Sequence, residues 1–391
     1  MLLLRTDVGK EGIMSLGKID TKSKRLVAIG KCRSTGLVST DDNLAKSLDR
    51  IQRIYTTSST EPSIYASHYL HLLRSKALRL DFFEVVELSR ISIATQLNAY
   101  LEARYKYKIL PELKLLDRYP PCVQLEVSSI CNYRCKMCFQ VDESFSTRKS
   151  PHMGTMTLET FRKAVDELEG QVDSVTIASR GEPLMAPDFR EMMSYISGKF
   201  MCFKINTNLS LMTEDIARSL LLARPQTIVF SVDSGDPELY EEIRVNGRYK
   251  RMYDKLKLFH SIYKELNSST IVRISGVAVD PRQSTEQLYE TFSEFADLFS
   301  LSECTPWSSS YANPINSIIK PCNDLWRRLF IWWDGTVNPC DYDYKSNLAI
   351  GNINQSSISE LWHSTEYNNL RNSHLDGQRS NHYPCDRCPI V

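Results

Sequence analysis

Seven of the eleven cysteines fall into two sets, and any fold open to this chain must bring each set together. Cys131, Cys135 and Cys138 stand close in sequence as C-N-Y-R-C-K-M-C, while Cys322, Cys340, Cys385 and Cys388 are spread through the C-terminal fifth. Three thiolates leave one coordination position of a bound metal centre open; four close the site. The first arrangement belongs to a metal that does chemistry, the second to one that carries structure or electrons. Disulfides are the other use of so many cysteines, but the count is odd. The spacings C-x3-C-x2-C and C-x2-C point to metal in a cytosolic chain of this length.

The charge balance removes other classes. Lys and Arg number 48 against 47 Asp and Glu, so no net field draws the chain to nucleic acid or a membrane surface. Met1-Leu2-Leu3-Leu4 is followed at once by Arg5 and Asp7, which is no secretory signal. No apolar run approaches the roughly 18 residues that a membrane helix needs. A soluble, cytoplasmic protein with no nucleic-acid or membrane partner is expected.

Periodicity divides the chain at about residues 117 and 305. The first segment reads weakly to residue 60, with a possible strand at Lys24–Ile29 and a polar linker at Thr56–Thr60. From Ile64 to about Tyr107, Leu78, Phe82, Val86, Leu97 and Leu101 recur at helical spacing, predicting two or three helices that form a cap or a docking surface. After Pro120-Pro121, strands and helices alternate. Strands are predicted at Val123–Val127, Val175–Ile177, Phe203–Ile205, Ile228–Val232 and Ile271–Val279, with a sixth near Leu301–Cys304. Helices are predicted at Leu158–Leu168, Phe189–Ile196, Ile216–Leu222, from Asp236-Pro237 onward, and at Leu288–Phe299. Such alternation makes a parallel α/β sheet or its barrel-like version. Beyond Pro306 the pattern changes to a hairpin, Leu329–Trp333 and Thr336–Asn338 around an Asp334-Gly335 turn, then short helices at Ile358–His363 and Glu366–Ser373.

The first cysteine set directly follows the first of these strands, at the carboxyl end where α/β folds build active sites. By motif, position and following alternation the chain resembles the radical S-adenosylmethionine (SAM) superfamily, with C-x3-C-x-aromatic-C after the first barrel strand. The plainer alternative is a three-cysteine zinc loop. The motif departs at Met137, where an aromatic is usual, with Phe139 just after Cys138. The resemblance implies a partial (β/α)6 TIM-like barrel and a 4Fe–4S cluster on Cys131, Cys135 and Cys138. SAM would chelate its free iron and be split to a 5′-deoxyadenosyl radical that abstracts hydrogen. It further implies SAM contacts from Met137, Phe139, Gly181, Glu182, Pro183, Asn206, Asn208, Ser231, Asp233 and Arg244. Arg180, in place of a glycine, would face solvent or reach the SAM carboxylate or an anionic substrate.

Cys322-x12-Gly335-x4-Cys340 with Cys385-x2-Cys388 resembles the half-length SPASM module, or twitch. It implies one auxiliary 4Fe–4S cluster with all four positions filled, against a structural zinc site. The chain is therefore identified as a member of the radical SAM enzymes with an auxiliary cluster, similar to the 2-deoxy-scyllo-inosamine dehydrogenase type. Residues 1–117 are then a mostly helical extension, 118–305 the partial barrel and 306–391 a small hairpin-and-helix iron–sulfur module. The type implies oxidation of a carbinol in a sugar, nucleotide sugar or aminocyclitol, with an electron donor such as flavodoxin or ferredoxin. Peptide maturation by crosslinking or epimerisation is the rival. Among the leftover cysteines, Cys122 and Cys202 read as core and Cys32 as incidental. Cys304 is either packing or a hydrogen-atom donor in a carbohydrate epimerase.

Overall fold

The computed structural model describes residues 31–32, 40–147, 149–305, 307 and 310–390. The predicted strand at Lys24–Ile29 lies outside them. In chain order the elements are β1 (Lys31–Cys32), α1 (Asp41–Thr56), α2 (Ile64–Arg74), α3 (Phe82–Arg90), α4 (Ala94–Leu113), β2 (Cys122–Leu125) and α5 (Glu143–Ser146). Then follow α6 (Leu158–Leu168), β3 (Ser174–Ile177), α7 (Phe189–Ile196), β4 (Cys202–Thr207), α8 (Glu214–Leu222), β5 (Thr227–Ser231), α9 (Pro237–Ile243) and α10 (Tyr249–Glu265). The series continues with β6 (Ile271–Ala278), α11 (Thr285–Phe292), β7 (Leu298–Glu303), β8 (Arg328–Ile331), β9 (Thr336–Asn338), β10 (Gly351–Asn352), α12 (Ile358–Trp362) and α13 (Thr365–Leu375).

Strands β2 to β7 pair in sequence order, all parallel, as the partial barrel requires. The sheet does not stop there. β1 adds parallel to β7 on one edge, and β8 adds parallel to β2 on the other, carrying the antiparallel β9 and β10 with it. The C-terminal hairpin is thus main-chain bonded to the first barrel strand. Its turn is the Asp334-Gly335 pair, where Gly335 takes φ +83°, a conformation that side chains resist.

Period-2 alternation sorts each strand's side chains. Val123, Leu125, Val175, Ile177, Phe203, Ile205, Ile228, Phe230, Val272, Ile274, Phe299 and Leu301 enter one large core with the outer helices. The intervening residues face the barrel lumen. Two of the predicted helix starts are capped: Thr157 accepts from the Thr160 N–H before α6, and Asp236 from the Leu239 N–H before α9.

The N-terminal helices share a core of their own, which includes Cys202 at the start of β4. Phe82 and Val86 of α3 pack on Ile271 and Leu298, the first residues of β6 and β7. Arg90 pairs with Asp297 at 2.8 Å, and Tyr107 Oη accepts from Arg328 Nε at the start of β8 at 3.0 Å. These helices therefore close the amino-terminal mouth of the barrel, the cap of the two roles expected of them.

Three expectations are corrected. Helix α1 fills part of the segment that read weakly, with Thr40 as its cap and Leu44, Ser47 and Ile51 buried. Helix α10 was not predicted; its many lysines dilute a stripe of Met252, Leu256, Phe259 and Ile262. The helix expected at Leu288–Phe299 ends at Phe292, and the sixth strand begins at Leu298, because Phe295, Leu298 and Phe299 continue the helical spacing past the helix end. No helix among the described residues is long and apolar enough to cross a membrane.

Candidate active site and auxiliary cysteine cluster

The loop after β2 holds the first cysteine set at the carboxyl end of the barrel. Cys131, Cys135 and Cys138 meet in one apolar cluster with Tyr133, Met137, Leu239 and Ile243. Main-chain bonds strap the loop to the end of α9, from Arg134 N to Val245 O (3.0 Å) and from Lys136 N to Ile243 O (3.1 Å). Burial pushes all three thiols up, Cys138 to about 12, while the Arg244 charge pulls Cys135 back down. The Cys131 thiol is raised by both Cys135 and Cys138, so the three lie within electrostatic reach of one another.

Charged and amide groups surround the sulfurs. Arg244 Nη1 donates to Cys135 Sγ at 3.6 Å, and its Nε is bonded to the buried Asp233, whose other oxygen accepts from Val277 N at 2.7 Å. Asn208 Nδ2 lies 3.9 Å from Cys131 Sγ and donates to Asn132 Oδ1 at 3.0 Å. Asn132 and Ser210 close the ring of amides, with Asn132 Nδ2 on Ser210 Oγ at 2.8 Å.

Glu182 is buried and ties β3 to β4. It accepts from Thr207 Oγ1 (2.6 Å), Asn208 N (2.7 Å) and Leu184 N (3.1 Å). Burial raises its carboxyl against the pull of those donors. Gly181 is forced: a Cβ there would stand 2.5 Å from Ser128 O and 2.6 Å from Ile130 O, against the main chain leading to Cys131. Pro183 opens the short 3-10 turn Pro183–Met185 beyond it. Ser231 ends β5 on the lumen side.

The structure also places Arg180, Phe139, Met137 and Cys304. Arg180 neither faces solvent nor reaches toward a ligand. It is 2% exposed, clamps Glu126 through Nε (2.6 Å) and Nη2 (2.5 Å), donates from Nη1 to Tyr344 O (2.8 Å), and lies 4.0 Å from the Trp332 ring centre. Phe139 is spent on an aromatic cluster, stacked on Tyr344 with centroids 5.0 Å apart. Met137 packs among Leu239 and Ile243. Cys304 is exposed beyond β7, its sulfur only 3.7 Å from Thr305 O, so it does not pack as core.

The second set gathers around a buried arginine. Thiol charges raise one another across Cys322, Cys340, Cys385 and Cys388, burial being the larger cause, with Cys322 reaching about 12. Arg379, 1% exposed, donates to the carbonyls of Cys385 (3.1 Å), Cys388 (2.7 Å) and Ile390 (2.8 Å). Its positive charge favours the thiolates of Cys322, Cys385 and Cys388, and no carboxylate among the described residues pairs with it. A buried guanidinium without an acidic partner needs an anionic centre beside it.

The residues fit the groups that the sequence implied. Ser179 Oγ and Asn206 Oδ1, at the ends of β3 and β4, are buried without protein partners, which suits a polar ligand above the lumen. Among the described residues, no three His, Cys, Asp or Glu side chains converge as a single ion requires. Thiolates on a cubane bind different irons and stand further apart. Sequence reasoning missed Glu126, Asn132, Ser210, Trp307, Tyr344 and Arg379. Only Glu126 carried a signal, as the one acid within the V-Q-L-E-V strand.

A parallel partial barrel with three cysteines after its first strand, joined to a four-cysteine module, is the layout that the two cysteine sets implied. Residues 125–291 match the Radical SAM superfamily and residues 322–389 match the iron-sulfur cluster-binding domain SPASM, so the chain carries a radical SAM domain followed by a SPASM domain. SAM, a 4Fe–4S cluster and an auxiliary iron–sulfur centre are its implied cofactors.

A curated relative, the S-adenosylmethionine-dependent nucleotide dehydratase of Selenomonas ruminantium, is 28% identical over 160 residues, covering 40% of this chain and 55% of that protein. The chain thus spans about half the length of that relative. The solved structure of Streptococcus suis SuiB bound to precursor peptide SuiA shares the fold with TM-score 0.51 and 16% identity, covering 80% of this chain and 84% of that one. BtrN in complex with AdoMet and 2-DOIA aligns with TM-score 0.48 and 17% identity, over 69% of this chain and 93% of that one.

Proposed function

We propose that this enzyme oxidises a carbinol of a small molecule, such as a sugar, nucleotide sugar or aminocyclitol. SAM held at Cys131, Cys135 and Cys138 would supply the 5′-deoxyadenosyl radical that takes the carbinol hydrogen, the second electron leaving toward the Cys322, Cys340, Cys385 and Cys388 set. In this reading residues 118–305 hold and orient the reactants, 306–391 accept the electron, and 1–117 close the barrel floor. Asn206, Asn208, Ser231 and Glu182 line the SAM side. Arg244, fixed by Asp233 and Cys135, has no hydrogen bond at its Nη2 among the described residues, which would leave it for a carboxylate.

One observation carries the reading. Rings lead from the first cysteine set toward the second: Phe139, packed on Cys138, meets Trp307 with centroids 6.1 Å apart, and Trp307 meets Tyr342 at 5.7 Å. Tyr342 in turn is pushed up by burial and then by Cys388 and Cys340. An oxidation that releases two electrons in separate steps needs such a path; a redox-neutral rearrangement does not.

The test is anaerobic reconstitution followed by incubation with SAM and candidate polyols. About eight irons per chain, 5′-deoxyadenosine and a ketone product are expected. About four irons, or 5′-deoxyadenosine without an oxidised product from any polyol, overturns the oxidation.

Peptide maturation is the second reading, favoured by the fold shared with SuiB, whose structure holds a precursor peptide. Saturable binding of a leader peptide to the full chain would select it. Use of Cys304 as a hydrogen donor would instead appear as solvent deuterium in the product, lost in Cys304→Ala.

A further inference from the structure

The lumen is polar and carries the basic side chains of Lys204 and Arg273. Between floor and mouth, the lumen-facing positions of β2 to β7 include Gln124, Thr176, Lys204, Asn206, Arg273 and Ser300, set opposite the core residues by the strand alternation. Among the described residues, Glu126 just past β2 is taken by Arg180, and Asp233 just past β5 by Arg244. Arg273 leans on Ser300 Oγ at 2.7 Å and lies 4.0 Å over the Phe83 ring, which comes from the helical floor.

Lys204 differs from the other interior cations. It is partly accessible inside the barrel, and among the described residues its ammonium makes no hydrogen bond or ion pair. The nearby carboxylate, Glu87, is engaged by Tyr100 Oη at 2.7 Å. Burial, then the charges of Arg328 and Arg273, lower the Lys204 ammonium to about 8, the mark of a cation lacking its anion. Keeping such a group inside a fold costs stability unless a ligand compensates. On β4 it stands two residues below Asn206 and four below Asn208, which touches Cys131.

We infer that Lys204 binds a phosphate group of the substrate inside the barrel, with the reacting carbon directed up toward the cysteine loop. The inference rests on the small-molecule reading above and narrows it to phosphorylated compounds, including nucleotides. Lysine meets phosphate as a compact point charge, and the neighbouring Arg273 adds to the same field.

The test is binding, separate from turnover. Inorganic phosphate is titrated into the full-length reconstituted protein and followed by calorimetry and by the phosphorus NMR line width. Saturable binding is expected, weakened at least tenfold in Lys204→Met and retained in Lys204→Arg, with circular dichroism checking that each variant is folded. An Arg248→Ser change on the outer surface should leave binding as it was. Absence of saturable binding in the wild type, or equal binding in Lys204→Met, overturns the inference. SAM cleavage by the same wild-type sample separates the two claims: cleavage without phosphate binding removes this site alone, and phosphate binding without cleavage removes the radical reading alone.

Discussion

Arg180, at the end of the second barrel strand, donates 2.8 Å to the main-chain carbonyl of Tyr344 in the C-terminal module. The same guanidinium clamps Glu126 beyond the first strand, and both side chains are almost fully buried. One cation thus ties two barrel strands and the auxiliary module together, directly beside the cysteine loop. Removing it leaves Glu126 buried without a cation, held only by the main-chain N–H groups of residue 180 and Trp333, which costs about 3–5 kcal/mol in buried pairs. Arg180→Met should lower the unfolding free energy by that order, measured by chemical denaturation. The double change Arg180→Met with Glu126→Gln should recover part of the loss, and equal losses in single and double variants would contradict the pairing.

Gly181 leads to a second expectation. Its missing side chain allows the main chain of residues 128–130 to approach, and that chain delivers Cys131 to the cluster. Gly181→Ala forces backbone against backbone, typically about 1–3 kcal/mol. The loss should fall on one centre: iron per chain should drop by about half on reconstitution, while the C-terminal cysteines keep theirs. A variant that retains its full iron would show that the loop tolerates the displacement.

Much of this architecture was legible because its signals are local. The cysteine spacing, the caps Thr157 and Asp236 and the Asp334-Gly335 turn each depend on a few neighbouring residues, and the structure places them as expected. What could not be read depends on distant partners. Arg180 was ambiguous because its fate is set by Glu126, 54 residues earlier, and by Tyr344, 164 residues later. The ring partners of Phe139 could not be read because nothing local announces Tyr344 or Trp307. Arg379 gave no signal, since a buried cation looks like a surface one until its surroundings are known. Likewise, the parallel pairing of β8 on β2 has no sequence mark, because Arg328–Ile331 reads equally as half of an isolated hairpin.

The helical floor carries its own pH dependence. Glu84 is fully buried, accepts from Tyr69 Oη (2.8 Å) and Lys108 Nζ (2.5 Å), and is raised by burial and then by Asp81 to about 7. A carboxyl raised in the folded state holds a proton that the unfolded chain has already released. Stability contributed by Glu84 is therefore greatest below its unfolded value of 4.5 and is lost as pH rises toward about 7. The span corresponds to roughly 3 kcal/mol at most. Thermal melts at pH 5 and pH 7.5 should show this decline in the wild type and a flatter profile in Glu84→Gln. A wild-type stability that rises across the same window would reverse the assignment.

The ring path between the cysteine sets makes a prediction that separates radical generation from oxidation. Trp307 is the middle member, edge-on to Phe139 at 89° and tilted 48° to Tyr342, and it touches neither Arg244 nor Asn208. Trp307→Leu removes the middle ring while leaving the SAM-side residues in place. SAM should still be cleaved, but the yield of ketone per 5′-deoxyadenosine should fall at least tenfold, because an electron leaving the substrate loses its short route. Trp307→Tyr, which keeps a ring, should recover most of that ratio. Quantifying both products by mass spectrometry decides it: an unchanged ratio in Trp307→Leu means the electron leaves another way, and the aromatic contacts serve packing alone.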